Sequence, residues 1–394
     1  MNRKSNKDNI NIDDIKLKDF NIPVFGRTIV TNLLPPARGY ITYENFINSY
    51  ESSNSKFNKD DLEVIEIIKD SLKSNNRLPF DLLPQEIEFI ENNDISRWCE
   101  YLVFRYKLKV YPKQKKVAEF PVYLLIEPVS ACNLRCIMCF QADVTFTKNP
   151  YMGIMDFDFF KKIIDEAVAG GTKAITLASR GEPTMNRHLP KMLEYIKGKF
   201  LEVKINTNGT RLTEKLCHSI LSCGVTELVW SIDAPRKELY EKIRVGGIFE
   251  KVINNILMFN NIKNTSYPNS TLITTASGVM FHEEQDIQEY KNFFGKLADN
   301  VAAQQIENRW NTYTNETQPD ITDPCQYLWE RMYVWFDGKC NPCDVDYKSY
   351  LEVGNVNEKT IKEIWHGKTY EKLRKDHLEK NRKKCNPCDR CGLC

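Results

Sequence analysis

Ten of the thirteen cysteines in this 394-residue chain fall in three short windows. Thiolates are the side chains best suited to soft metals and iron–sulfide clusters, so these windows are where chemistry is expected. Cys132, Cys136 and Cys139 form the first, with three and then two residues between them. Cys325, Cys340 and Cys343 form the second, and Cys385, Cys388, Cys391 and Cys394 the third. Cys99, Cys217 and Cys223 stand apart and read as small core hydrophobes, the usual role of an isolated free thiol. The first residues carry no apolar export segment, so a reducing, cytoplasmic setting is expected. There clustered thiols bind metal rather than pair as disulfides.

The first window is the most telling. Its spacing lets one loop wrap three thiolates around a corner of an iron–sulfide cube, with no local fourth cysteine. One iron would then lack a protein thiolate and stay open to a small molecule. A zinc knuckle or zinc ribbon is the competing reading of the cysteine groups, but a closed tetrahedral zinc site needs a fourth ligand that the first window lacks.

Such a loop must be positioned by regular elements, and the apolar pattern supplies them. After Pro121, strands are predicted at Val122–Glu127, Ala174–Ala178, Val203–Asn206, Glu227–Ile232, Thr271–Met280 and Val301–Ile306. Helices are predicted between them at Asp156–Ala169, Leu189–Lys199 and Thr213–Ser222, then one long helix to about Asn261, then Glu284–Leu297. Six strands alternating with helices imply an α/β architecture, a parallel sheet with right-handed crossovers, with the chemistry at the carboxyl ends of the strands. Six units suggest an open, partial barrel rather than a closed eightfold one. Residues 1–35 read as a partly disordered polar arm. Residues 36–118 read as helical, with Pro84 at the start of one helix. The charge count, 55 Lys and Arg against 53 Asp and Glu, leaves +2 and no basic field for nucleic acid. No apolar run approaches the ~18–20 residues of a membrane span.

With Cys132-x3-Cys136-x2-Cys139 placed just after the first strand, the sequence resembles the radical S-adenosylmethionine (SAM) superfamily. The resemblance implies a partial (β/α)6 TIM-like barrel over residues 119–310 and a SAM-binding [4Fe–4S] cluster on these three cysteines. Further motifs fall at successive strand ends. Gly181-Glu182-Pro183 follows the second strand, where the family meets the methionine amino group, and is preceded here by the unusual Ser179-Arg180. Asn206 and Asn208 end the third strand, and Ser231 and Asp233 the fourth; both groups resemble elements that contact the SAM ribose and carboxylate. Arg244 is a candidate partner of that carboxylate, and Met138 can pack on the adenine.

Cys325 is followed by twelve residues, Gly338, four residues and Cys343, which resembles the opening of a SPASM auxiliary-cluster domain, here residues 320–394. One auxiliary [4Fe–4S] cluster is expected, and seven cysteines leave room for a second. Cys325, Cys343 and two of the terminal four are the preferred ligands, with Cys340 competing. Asp344 matches the position of a base in the sulfatase maturases, with Asp346 as rival. The activity implied is reductive cleavage of SAM to methionine and a 5′-deoxyadenosyl radical that takes hydrogen from a substrate. The expected substrate is a peptide or protein side chain undergoing oxidation, crosslinking or epimerisation. A small molecule such as a sugar or aminoglycoside is the alternative, and a non-catalytic metal scaffold a third reading. A reducing partner such as flavodoxin or ferredoxin is implied; membrane and nucleic-acid partners are not.

Overall fold

The computed structural model describes residues 41–305, 312–317 and 321–391. The expected arm at residues 1–35 lies outside these, as do Ile306 and Cys394. Four helices come first: α1 (Tyr43–Ser52), α2 (Lys59–Asn75), α3 (Pro84–Asn92) and α4 (Trp98–Gln114). In α2 the apolar face Val64, Ile65, Ile68 and Leu72 is buried. A reciprocal cap starts that helix, with the Asn58 side chain accepting from the Asp61 N–H at 2.8 Å and the Asp61 carboxylate from the Asn58 N–H at 3.0 Å. The bundle's core also takes in Val122, Ala174 and Leu201, at the amino-terminal ends of the first three strands. Lys173 Nζ donates to Glu100 at 2.6 Å, and Arg105 pairs with Glu202. The helical region therefore plugs the end of the barrel opposite the strand termini where chemistry is expected.

Six strands follow: β1 (Tyr123–Ile126), β2 (Ala174–Leu177), β3 (Glu202–Thr207), β4 (Glu227–Ser231), β5 (Ile273–Met280) and β6 (Asn300–Gln305), each paired in parallel with the next. Helices α5 (Phe157–Gly170), α6 (Leu189–Ile196), α7 (Glu214–Ser222), α8 (Lys237–Ile243), α9 (Phe249–Ser266) and α10 (Ile287–Phe294) cover one face. The covered face carries Leu124, Ile126, Ile175, Leu177, Val203, Ile205, Leu228 and Trp230, all in the main core. Because side chains alternate along a strand, the other face is an inner lumen lined by Tyr123, Leu125, Thr176, Lys204, Asn206 and Ser231. The single long helix expected after β4 is two helices. Gly246 takes a left-handed φ of +90°, and a Cβ on Gly247 would lie 2.9 Å from the Arg244 carbonyl oxygen and the Tyr240 ring, so the chain turns there.

The C-terminal region contributes α11 (Tyr327–Glu330), β7 (Arg331–Val334), β8 (Lys339–Asn341), β9 (Gly354–Asn355), α12 (Ile361–Trp365) and α13 (Lys368–Leu378). β7 was not expected as part of the barrel, yet it pairs in parallel with β1, Leu125 standing opposite Tyr333. β8 and β9 continue antiparallel, giving the order β6-β5-β4-β3-β2-β1-β7-β8-β9. The sheet is open, as the six-unit pattern implied, and the C-terminal region is built onto its β1 edge. Among the described residues no helix is long and apolar enough to cross a membrane.

Candidate functional site

The loop after β1 carries Cys132, Cys136 and Cys139. Its outer residues are pinned by the end of α8 and the turn after it: the Arg135 N–H donates to the Val245 carbonyl at 2.9 Å and the Ile137 N–H to that of Ile243 at 3.1 Å. Leu134 and Cys136 turn inward while Asn133, Arg135 and Ile137 face out. The three thiols lie in one another's electrostatic field, yet among the described residues no three Cys, His, Asp or Glu side chains converge closely enough for a single ion. Burial pushes the Cys132 thiol up to about 11 and that of Cys136 to about 12, the Arg244 guanidinium opposing the latter.

The second strand ends on backbone that only this arrangement tolerates. Ser179 has a φ of +130° and a buried hydroxyl with no partner. A Cβ on Gly181 would come within 2.2 Å of the Val129 carbonyl oxygen and 2.5 Å of that of Ala131, so only glycine lets this segment lie against the cysteine loop. The Glu182 N–H donates to Ala131 O at 3.0 Å. The Glu182 carboxylate is buried in a network with the third strand, accepting from Thr207 Oγ1 at 2.6 Å, Thr184 Oγ1 at 2.7 Å and the Asn208 N–H at 2.7 Å. Burial raises its pKa against these donors.

Asn208 in turn donates from Nδ2 to Cys132 Sγ at 3.8 Å and to Asn133 Oδ1 at 3.1 Å, joining the third strand end to the first. Asn206, on the lumen face, leaves Oδ1 buried and without a partner, an acceptor awaiting a donor. Asp233, fully buried, accepts the Val279 N–H at 2.8 Å on one oxygen and pairs with Arg244 through the other. Arg244 sits in the field of Cys136. Ser231 lies half-buried on the lumen face of β4, and Met138 packs partly buried against the main core. The residues expected around SAM thus gather at four consecutive strand ends, with Asp233 and Arg244 holding each other.

The C-terminal thiols gather as well. Cys343 feels Cys388 and Cys391, Cys388 feels Cys385 and Cys391, and Tyr370 lies near Cys325, Cys340 and Cys343. Buried Arg382 clasps the turn by donating to the carbonyls of Cys388 at 3.1 Å, Cys391 at 3.2 Å and Asp323 at 3.2 Å. The Cys325 N–H donates to His377 Nδ1 at 3.2 Å. Cys340 and Cys385 are both buried in the main core; Cys340 lies on β8, fully buried, its thiol turned to the Gly338 carbonyl at 3.7 Å. The two rival aspartates also separate. Asp346 is buried and saturated, accepting from Tyr313 Oη at 2.6 Å, Asn341 Nδ2 at 3.0 Å, and the Tyr350 and Leu351 N–H groups at 2.9 and 2.6 Å. Asp344 is half-buried and acts electrostatically on Tyr333, a lumen residue of β7. Cys343 packs on the lumen cluster of Leu125, Tyr333 and Trp335, on the inner face of β1 and β7.

The radical SAM superfamily profile matches residues 126–290, and an iron–sulfur cluster-binding SPASM domain matches residues 325–392. The chain belongs to the radical SAM superfamily. A SAM-binding [4Fe–4S] cluster, SAM and auxiliary iron–sulfur come with these two domains. Among similar proteins is the tungsten-containing aldehyde ferredoxin oxidoreductase cofactor-modifying protein of Pyrococcus furiosus. It is 36% identical over 28% of this chain and 30% of that protein. The AdoMet-dependent heme synthase of Methanosarcina barkeri is 28% identical over 55% of this chain and 58% of its own length. The matched stretch thus spans less than two thirds of either relative. The crystal structure of Streptococcus suis SuiB bound to precursor peptide SuiA shares the fold, with a TM-score of 0.54 at 15% identity, covering 77% of this chain and 81% of that one.

The strand-end motifs follow from the family resemblance, whereas the places of Glu127, Thr207, Asn133 and Arg382 in these networks come from tertiary contacts. For Glu127 there was a signal: a carboxylate directly ending a buried apolar strand needs a partner.

Proposed function

We propose that this protein binds SAM across the carboxyl ends of β1–β4, over a cluster held by Cys132, Cys136 and Cys139, and takes hydrogen from an organic substrate in the lumen. The observation that carries this is the convergence of a three-thiol loop with Gly181, the unpartnered Asn206 oxygen and the Asp233–Arg244 pair at consecutive strand ends. When bound, the cluster and SAM together supply reductive cleavage to methionine and a 5′-deoxyadenosyl radical. The protein's own contribution is placement. Gly181 lets backbone approach, Asn206 offers an acceptor, and Arg244 brings a cation that Asp233 holds in place. Cys325, Cys343 and two of Cys385, Cys388, Cys391 and Cys394 are proposed to hold an auxiliary cluster, with Cys340 left as a core residue. Asp344, at the lumen rim beside that cluster, is the better placed of the two aspartates to accept a substrate proton.

A peptide or protein side chain is the favoured substrate: among the described residues no further strand pairs with the outer edge of β6, which would let a side chain of a larger partner reach the lumen from that side. The compact terminal cysteine run, which suits a single auxiliary cluster, supports the small-molecule reading instead. Electrons would come from a carrier such as flavodoxin or ferredoxin. The test is anaerobic reconstitution followed by quantification of 5′-deoxyadenosine with SAM and reductant. Production is expected from the native chain and none from the Cys132→Ala, Cys136→Ala or Cys139→Ala variants; retained cleavage in these variants overturns the reading.

A further inference from the structure

Arg180 directly precedes Gly181, and its surroundings are unusually complete. Its Nε and Nη2 fork the Glu127 carboxylate at 2.6 Å each, and its own N–H donates to the same group at 3.2 Å. Both side chains are buried, 3% and 0% exposed. The remaining guanidinium nitrogen, Nη1, donates to the Tyr347 carbonyl at 2.9 Å, and the plane stacks 4.2 Å from the Trp335 ring. Glu127 also accepts the Phe336 N–H at 3.3 Å. On the barrel side, Gln141 Nε2 donates to both the Arg180 carbonyl at 2.6 Å and that of Ser130 at 2.7 Å. One ion pair therefore touches the ends of β1, β2 and β7 and the loop that carries Cys343, Asp344 and Asp346.

That loop has few other ways to shift independently. Trp335 Nε1 donates to Ser349 Oγ at 2.9 Å, while Tyr347 stacks on Phe140, just past the first cysteine group, at 5.0 Å. We propose that Arg180, held by Glu127, is a positioning residue that couples the SAM-binding edge, Gly181-Glu182, to the auxiliary-domain loop 343–351. Occupying one then tightens the other. A planar five-donor fork suits this task, because it fixes direction as well as charge at three points, which a lysine cannot do. Coupling of this kind is reciprocal, so SAM binding must be felt in the loop and the loop in SAM binding.

The inference rests on SAM binding at the proposed edge, and the experiment separates the two. With fully iron-loaded, anaerobic protein, hydrogen–deuterium exchange is followed with and without SAM, and SAM affinity is measured by equilibrium dialysis. In the native chain SAM is expected to slow exchange at the amides of residues 348–351, remote from the SAM edge in sequence. Arg180→Gln is expected to weaken SAM binding about tenfold and to erase that remote protection, with Arg180→Lys falling between. Absence of SAM binding to the native chain sinks the functional reading itself. Tight binding without protection of 348–351 sinks only the coupling and needs no variant. Retention of affinity and remote protection in an iron-replete Arg180→Gln protein likewise overturns the role given to Arg180.

Discussion

Replacing Gly181 with alanine tests whether the strand-end site depends on backbone contact. The added Cβ would meet three backbone atoms, the Val129 and Ala131 oxygens at 2.2 and 2.5 Å and the Ser130 carbonyl carbon at 2.7 Å, where ordinary contact begins at 3.4 Å. None is the movable tip of a side chain, so the two loops must part by ~1 Å, an overpacking cost of ~1–3 kcal/mol. The bond from the Glu182 N–H to Ala131 O would stretch and forfeit ~1 kcal/mol more. The expected destabilisation is about 2–4 kcal/mol. Because a displacement of ~1 Å in a positioning element can cost about a hundredfold in rate, SAM cleavage should fall by a similar factor. Anaerobic denaturant unfolding and chromatographic assay of 5′-deoxyadenosine measure both effects. Gly171→Ala is the control: its φ is +91° but its Cβ meets nothing within 4 Å, so ~1 kcal/mol and unchanged cleavage are expected. If Gly181→Ala matches the native chain in stability and cleavage, the close approach of these loops has no functional weight.

Further expectations follow from other contacts. Cys340→Ala should leave the iron content unchanged while lowering stability by ~1–2 kcal/mol, whereas Cys343→Ala should lose the auxiliary iron; iron analysis with unfolding curves separates them. Asp233→Ala strands the buried Arg244 cation and should cost about 3–5 kcal/mol in an unfolding titration, and Asp233→Asn less. Asp299 gives a pH signature. Burial alone would raise its pKa, but Lys263 Nζ at 2.9 Å and the Thr274 N–H and hydroxyl at 3.0 and 2.9 Å hold it below the ordinary 3.8. Its stabilisation is complete above that value and fades as pH falls below it, since the unfolded chain takes up the proton first. The deficit of Asp299→Asn relative to the native chain should therefore shrink between pH 5 and pH 3 in urea titrations.

Much of the barrel could be read from apolar spacing because its strands are short, buried on the helix face and separated by helices of ordinary length. β1 to β6 each lie within a residue or two of expectation. The helix after β4 misled because the apolar period runs on through Val245 and Ile248, while the break comes from backbone crowding at Gly247. Cys99, Cys217 and Cys223 are buried, as isolated thiols tend to be. β7 has no local signature: Arg331–Val334 is a four-residue strand whose partner lies some two hundred positions earlier, and no local pattern announces a long-range pairing.

From the amino acids alone come the three-thiol loop, the order of polar strand ends and the auxiliary cysteine domain, since ligand spacing and strand alternation are set by distances of a few residues. Folding in three dimensions decided which candidates lie beside one another. It turned Cys340 into the core, saturated Asp346 with hydrogen bonds while leaving Asp344 beside the lumen, and joined Arg180 to a carbonyl 167 residues away. These outcomes depend on which buried groups find partners when distant segments pack, and that choice is made by desolvation and geometry rather than by proximity along the chain.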